Sequence, residues 1–149
     1  MIIQQMSVFV ENQPGKMAEV LGTLKSNGVN IRALALADTA DFGILRIIVN
    51  EPERVRNILR ESGFTVRLTP VLTMIVSDNP GGLYELINLL SNAGVSIEYM
   101  YAFAAYGSQD ARVVLKVDNL VLAERLISGE DKQDPAVVER DGTVPGYYW

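Results

Sequence analysis

The sequence contains no cysteine and no histidine. Without cysteine there is no disulfide framework and no thiolate chemistry. Without histidine the commonest general base and the commonest metal ligand are both missing. No metal site and no cofactor is expected. Basic residues are the minority, 13 Lys and Arg against 18 Asp and Glu, for a net charge of −5 and a pI near 4.7. That balance disfavours nucleic acid and anionic membrane as principal partners. No apolar run approaches the roughly 20 residues that cross a bilayer. The opening Met1-Ile2-Ile3-Gln4-Gln5 has no basic segment and soon turns polar, so it does not read as a signal peptide. A cytoplasmic protein is expected.

What is present is a chain of 149 residues, 48% hydrophobic and 21% charged, the composition of a folded protein of one ordinary domain or two small ones. One pattern occurs twice. Asn12-Gln13-Pro14-Gly15-Lys16-Met17 has its echo in Asp78-Asn79-Pro80-Gly81-Gly82-Leu83. Each copy follows an alternating apolar segment and opens a segment of helical spacing. In such a turn, helix punctuation alone predicts Gln13 or Asn79 as the cap and proline at the first helical position. The N–H groups left open at a helix start, with the positive end of its dipole, also suit a small anion such as a carboxylate.

The remaining elements follow from periodicity. Met6, Val8 and Val10 alternate as in a strand. Met17, Val20, Leu21 and Leu24 mark a helix that stops near Asn27-Gly28. Residues 29–37 and 43–49 read as strands. Glu51-Pro52-Glu53 opens a second helix with its apolar stripe on Val55, Ile58 and Leu59. Gly63 ends it, and residues 64–68 form a fourth strand. The order is βαββαβ, the ferredoxin-like arrangement.

Pro14 and Pro80 are 66 positions apart. The same shift pairs Gly15 with Gly81, Glu19 with Glu85, Gly28 with Gly94, Val29 with Val95 and Ile31 with Ile97. It also maps Met6, Val8 and Val10 onto Leu72, Met74 and Val76, and the first helical stripe onto Leu83, Leu86, Ile87 and Leu90. Punctuation and core pattern agree, so the chain reads as a duplication, 1–69 and 70–149, with a boundary near Thr69-Pro70. In the second copy the third strand, residues 111–117, is displaced by about two positions by a longer hairpin at 106–110. A helix follows over 119–127, then a polar stretch, a fourth strand at 136–138, and an aromatic end at Tyr147, Tyr148 and Trp149. That end is expected to dock on the protein's own surface or on a second subunit. Tyr99, Met100, Tyr101, Phe103 and Tyr106 make the second strand of this copy aromatic, either as packing or as a wall for a ligand side chain. Ala33, Ala35 and Ala37 occupy the matching strand, for close pairing at an interface or as filler beneath a helix.

On the Asn12-x-Pro14-Gly15 and Asp78-x-Pro80-Gly81 turns, with Gly28-Val29-Asn30-Ile31 and Gly94-Val95-Ser96-Ile97, both halves resemble the ACT domain, the small regulatory module of amino-acid metabolism. The resemblance implies an α+β fold of two ferredoxin-like βαββαβ domains, each with an antiparallel sheet and helices on one face. It also implies side-by-side pairing of domains, with an amino-acid effector between the first loop of one and the second strand of its neighbour. Carried over by position, the ligand-binding candidates are Asn12, Gln13, Gly15, Lys16 and Met17 with Asn30 and Ile31, and Asp78, Asn79, Gly81, Gly82 and Leu83 with Ser96 and Ile97. Asp78 replaces an amide and Gly82 replaces Lys16, so the two sites should differ.

The expected function is a non-catalytic regulatory protein that binds a free amino acid. The alternative is a regulatory or assembly subunit of a separate biosynthetic enzyme, resembling the small subunit of acetolactate synthase. Phe9 and Ile75 point away from the helix-facing positions and need cover, so a homodimer or larger is expected. An acylphosphatase-like enzyme would want an arginine in its phosphate loop, and neither Pro-Gly loop has one. No acid–base or nucleophile constellation stands out. RNA binding through the sheet is disfavoured by the acidic charge and by third strands that lack aromatic reading residues.

Overall fold

A computed structural model describes residues 1–38, 41–104 and 107–129. Tyr106, the strand expected at 136–138 and the aromatic C-terminal end lie outside the described residues. The elements are β1 (Ile2–Glu11), α1 (Lys16–Ser26), β2 (Ile31–Asp38), β3 (Phe42–Val49), α2 (Pro52–Glu61), β4 (Thr65–Ser77), α3 (Gly82–Asn92), β5 (Ile97–Ala104), β6 (Asp110–Val117) and α4 (Leu120–Ser128). The chain divides into two compact units, Gln4–Pro70 and Val71–Trp149, and Met1–Ile3 belongs to the latter.

In the first unit the strands lie in the order β2-β3-β1-β4. The β1–β3 register sets Met6 opposite Ile47, Val8 opposite Leu45 and Phe9 opposite Ile44. Strand side chains alternate between faces, so Met6, Val8, Val10, Leu45, Ile47 and Val49 share one face. These residues form the core with Val20 and Leu24 of α1, Val55 and Leu59 of α2, and Val66 of β4. Each such buried aliphatic contributes about 1.5–3 kcal/mol. α2 starts as the sequence predicts, with Pro52 in its first turn, where a missing N–H costs nothing.

The second unit repeats the plan with β4-β6-β5. Leu72, Met74 and Val76 pack with Val113, Leu115 and Val117 of β6, Leu86 and Leu90 of α3, and Ala123 and Ile127 of α4. Leu72 stands opposite Leu115, two positions beyond the residue that a strict repeat of the Met6–Ile47 pair would select. This is the displacement expected from the longer hairpin. A bulge follows Ile31 in β2 and the equivalent Ile97 in β5.

Three sequence expectations change. Neither Gln13 nor Asn79 caps a helix: the caps are Gly15 (φ 87°) and Gly81 (φ 95°), with no side-chain cap bond. Pro14 and Pro80 therefore sit in the turn before the helix. The left-handed conformation reverses the chain in so few residues, and glycine adopts it without steric cost. The fourth strand of the first copy and the first strand of the second are one strand, β4, 13 residues long and running through Pro70.

The N-terminal residues, too polar to signal a strand, begin β1. Gln5 is fully buried and donates from Nε2 to Ser7 Oγ at 3.2 Å; both lie on the face of β1 opposite Met6, Val8 and Val10, so a polar side chain buried there is hydrogen-bonded. Beside Thr73 the Met1 amine donates to the Thr73 carbonyl at 3.1 Å, and the Thr73 N–H donates to the Met1 carbonyl at 2.9 Å. Ile2 packs against the core of the second unit.

Burial lowers the Met1 amine from the ordinary value to about 6, and the Glu124 carboxylate opposes the shift. The unfolded chain then binds more protons than the folded one between about pH 6 and pH 8, so stability rises with pH across that window and is lost as pH falls through 6. Urea midpoints of the 149-residue chain should rise from pH 5.5 to pH 8.5, and acetylation of the Met1 amine should flatten that rise.

Glycines offer a sharper test. A methyl group at Gly82 would overlap the Ser77 carbonyl oxygen, whereas one at Gly22 in the middle of α1 meets nothing within 4 Å. Gly82→Ala should destabilise by about 1–3 kcal/mol through a forced backbone shift. Gly22→Ala should stabilise by about 0.5–1 kcal/mol through helix propensity. Chemical denaturation of the two variants should move in opposite directions.

Candidate functional site

Each Pro-Gly turn leaves a short row of backbone donors at a helix start. In the first, Lys16 N–H donates to the Gln13 carbonyl at 3.3 Å, and the first helical bond is Glu19 N–H to Gly15 O at 3.0 Å. The N–H groups of Met17 and Ala18 lie ahead of that bond. In the second, Gly82 N–H donates to the Asn79 carbonyl at 3.1 Å and Glu85 N–H to Gly81 O at 3.0 Å, which leaves Leu83 and Tyr84 in the same place. A helix terminus of this kind attracts an anion through both donors and dipole. Both turns are held to a neighbouring hairpin by one backbone bond, Asn12 N–H to Asp41 O at 3.3 Å and Asp78 N–H to Gln109 O at 2.7 Å.

The two turns differ in their side chains. Lys16 approaches Glu19 at 3.7 Å, with both groups well exposed, so this pair adds little to stability. Gly82, at the same place, offers no side chain. Asn79 donates from Nδ2 to Ser77 Oγ and is thereby tied within its own loop. Met17 packs against the core of its unit, but Leu83 is exposed.

The second set of candidates lies elsewhere. Ile31 pairs with Val49 at one end of the sheet, while Glu11, the last residue before the first turn, pairs with Phe42 at the other. The separation is roughly 20 Å at ~3.3 Å per strand residue. The second unit has the same geometry, with Ile97 opposite Val117 and Ser77 opposite Asp110. Within a unit, therefore, Asn12, Gln13, Gly15, Lys16 and Met17 are not brought to Asn30 and Ile31. Nor are Asp78, Asn79, Gly81, Gly82 and Leu83 brought to Ser96 and Ile97. A site that uses both sets draws them from two domains.

Sequence reasoning missed Asp118. Its Oδ1 accepts from the Ser96 N–H at 2.9 Å, and its own N–H donates to the Ser96 carbonyl at 3.1 Å. This clamp fixes the start of β5; the only sequence signal was an acidic residue directly after a strand. Ala33, Ala35 and Ala37 stand opposite Ile48, Arg46 and Ile44, on the face away from the helices, which removes the reading of filler beneath a helix. Tyr99, Tyr101 and Phe103 lie opposite Lys116, Val114 and Arg112 on the corresponding face of the second unit, while Met100 packs on the helix side. An open groove of about 550 Å³ is lined by Glu19, Gly22, Thr23, Ser26, Asn27, Ser62 and Phe64 and includes no candidate residue. Among the described residues no group of three or more acidic side chains could hold a metal ion, and no helix is long and apolar enough to cross a membrane.

The β-α-β-β-α order, the antiparallel sheets with helices on one face and the duplicated Pro-Gly turns define a pair of ferredoxin-like domains. The sequence model of the ACT domain pair matches residues 1–136, and the chain belongs to that family. Protein BT0572 from Bacteroides thetaiotaomicron is 36% identical, with a TM-score of 0.82 over 88% of this chain and 90% of that one. The ligand-free regulatory subunit of aspartate kinase from Thermus thermophilus shares the fold at 14% identity and a TM-score of 0.63, over 86% of this chain and 95% of that one. The corresponding subunit from Thermus flavus gives 14% and 0.60, over 85% and 92%. No curated protein matches the sequence.

The open donors depend on the left-handed caps. A Cβ at Gly15 meets nothing within 4 Å, so Gly15→Ala carries a conformational cost alone, about 1–2 kcal/mol. Thermal or urea unfolding should register that loss in the absence of any ligand.

Proposed function

We propose that this chain is a non-catalytic, cytoplasmic regulatory protein that binds a free amino acid at the interfaces of its ACT domains. The boundary between the two copies is taken at Thr69-Pro70. The observation that carries the reading is the pair of glycine-capped helix starts, each with two N–H donors ahead of the first helical bond. These donors suit the carboxylate of the ligand, and Asn12 or Asp78 suits its ammonium group. Asn30-Ile31 or Ser96-Ile97 of a neighbouring domain closes the site. The protein works as a homodimer or larger assembly.

A second reading is a regulatory or assembly subunit of a separate amino-acid biosynthetic enzyme. It is supported by the fold shared with proteins that are themselves regulatory subunits of aspartate kinase. A pull-down from native extract separates the two, since a free sensor recovers no enzyme in stoichiometric amount.

A thermal-shift screen against the free amino acids tests the sensor reading. Saturating ligand stabilises by about 2.7 kcal/mol at a hundredfold excess over Kd, and the absence of a shift with any amino acid would overturn it in favour of the subunit. The two loops should also be unequal. Ionised Asp78 only accepts hydrogen bonds, whereas Asn12 can donate or accept. Asp78→Asn should weaken binding at the second site by about 1–2 kcal/mol, near tenfold in Kd, as a charge-assisted bond becomes a neutral one. Gly81→Val should cost more, because its φ of 95° excludes a branched side chain. Calorimetric titration reads both; unchanged or tighter binding by Asp78→Asn would leave Asp78 as a loop residue only.

A further inference from the structure

Ser96 lies one residue before the end pair of the β5–β6 ladder, Ile97 opposite Val117, and a bulge interrupts that ladder between Ile97 and Tyr99. A strand end beside a bulge is weakly held by its own ladder. Asp118 supplies what the ladder does not. Its N–H donates to the Ser96 carbonyl at 3.1 Å, which continues the pairing by one residue, and its Oδ1 accepts from the Ser96 N–H at 2.9 Å. Lys116 braces the same bulge, with Nζ 3.3 Å from the Glu98 carboxylate and 3.0 Å from the Val117 carbonyl. The next residue starts α4. Asn119 Oδ1 accepts from the Leu122 N–H at 3.1 Å, and the Asn119 carbonyl accepts from the Ala123 N–H at 3.0 Å. One planar peptide bond therefore separates both anchors of Ser96 from both anchors of the helix start. Val117 and Ala123 are buried on either side, while Asp118 and Asn119 are exposed. These four hydrogen bonds, rather than packing, fix the junction.

The first unit is held differently. The pair Ile31 opposite Val49 puts Asn50 and Glu51 in the places of Asp118 and Asn119. Glu51 gives α2 no side-chain cap bond. Arg54 instead donates to the carbonyl of Asn27, just past α1, at 3.2 Å, which ties helix to helix rather than helix to strand.

We propose that Asp118 is a positioning residue for the second candidate site, holding Ser96-Ile97 in place, and that through Asn119 it passes the state of that segment to α4. The role of Ser96-Ile97 rests on the proposed amino-acid site; the link from β5 to α4 does not. Coupling of this kind is reciprocal. Whatever loosens the start of β5 loosens the start of α4, and the reverse. The second unit is then the one that reports its ligand, and α4 is the element that displays it. Val121, in the first turn of α4, is 65% exposed at the position where α2 carries Glu53, so the displayed surface is apolar only in the second unit.

Amide hydrogen exchange of the full chain, read residue by residue by NMR without any amino acid present, tests the link. Asp118→Ala should speed exchange at Ser96 and also at Leu122 and Ala123, although neither of these amides bonds to Asp118. The change at each should be about tenfold, the loss of one hydrogen bond. Asn119→Ala should speed exchange at Leu122 and also at Ser96. Asp118→Asn keeps an acceptor oxygen and should restore slow exchange at all three amides. The Val55 amide, bonded to the Glu51 carbonyl at the start of α2 at 3.0 Å, should not change in any variant and shows that the fold is intact. Effects confined to the bond removed, Asp118→Ala felt only at Ser96 and Asn119→Ala only at Leu122 and Ala123, would overturn the proposal. A second arm adds a mixture of the free amino acids to the unmodified chain. Slower exchange at Ser96 should come with slower exchange at Leu122 and Ala123, and slowing at Ser96 alone would overturn the transmission to α4. No change at any of these amides would strike the amino-acid reading, while the variants alone decide the link between β5 and α4.

Discussion

The arrangement of each unit depends on one backbone conformation, the left-handed turn at Gly15 and Gly81. It stops an extended strand and starts a helix within four residues, which lays α1 and α3 back over the face that carries Met6, Val8 and Val10, or Leu72, Met74 and Val76. Any other residue at these points would cost about 1–2 kcal/mol before a single contact changed. The same conformation takes the cap position away from a polar side chain. With Gly15 as cap, no serine or aspartate oxygen occupies the first turn, so the donors there are still open to an outside partner. Fold and candidate chemistry share one cause.

Most of this was legible in the sequence because the repeat carried two independent signals. The 66-residue shift matched glycines and prolines, which report turns, and also matched apolar positions, which report faces. Even the slip of two positions in the third strand of the second copy was legible, and the Leu72–Leu115 pair shows it. Where the reading failed, polar residues or proline misled it. Gln4 and Gln5 argue for solvent, yet Gln5 is fully buried, with Ser7 as a hydrogen-bond partner within the strand. Pro70 argues for a break, yet a strand accommodates proline wherever its N–H is not required by the ladder. Gln13 and Asn79 argued for caps, since the sequence does not distinguish a glycine that follows a cap from a glycine that is the cap.

The candidate site was legible only as a set of types. The turn residues and the Asn30-Ile31 or Ser96-Ile97 pair are recognisable one by one. That the two groups lie at opposite ends of the same sheet follows from the strand register, which pairs Glu11 with Phe42 and Ile31 with Val49. Within one unit the two groups therefore do not meet. The open groove beside α1 holds none of the candidates.

The Met1–Thr73 pairing carries a consequence for biosynthesis. The hydrogen bonds join residues 72 positions apart in sequence. Contacts between distant positions form late, because loop closure must be met before they stabilise anything. On a ribosome the residues that begin β1 emerge while Val71 and Thr73 are still to be translated. The stretch Gln4–Pro70 holds the interior of its own unit and can condense as it appears, but Met1–Ile3 reach their partners only once the second half arrives. The order in which the chain is made is thus the reverse of the order in which its first residues find their place.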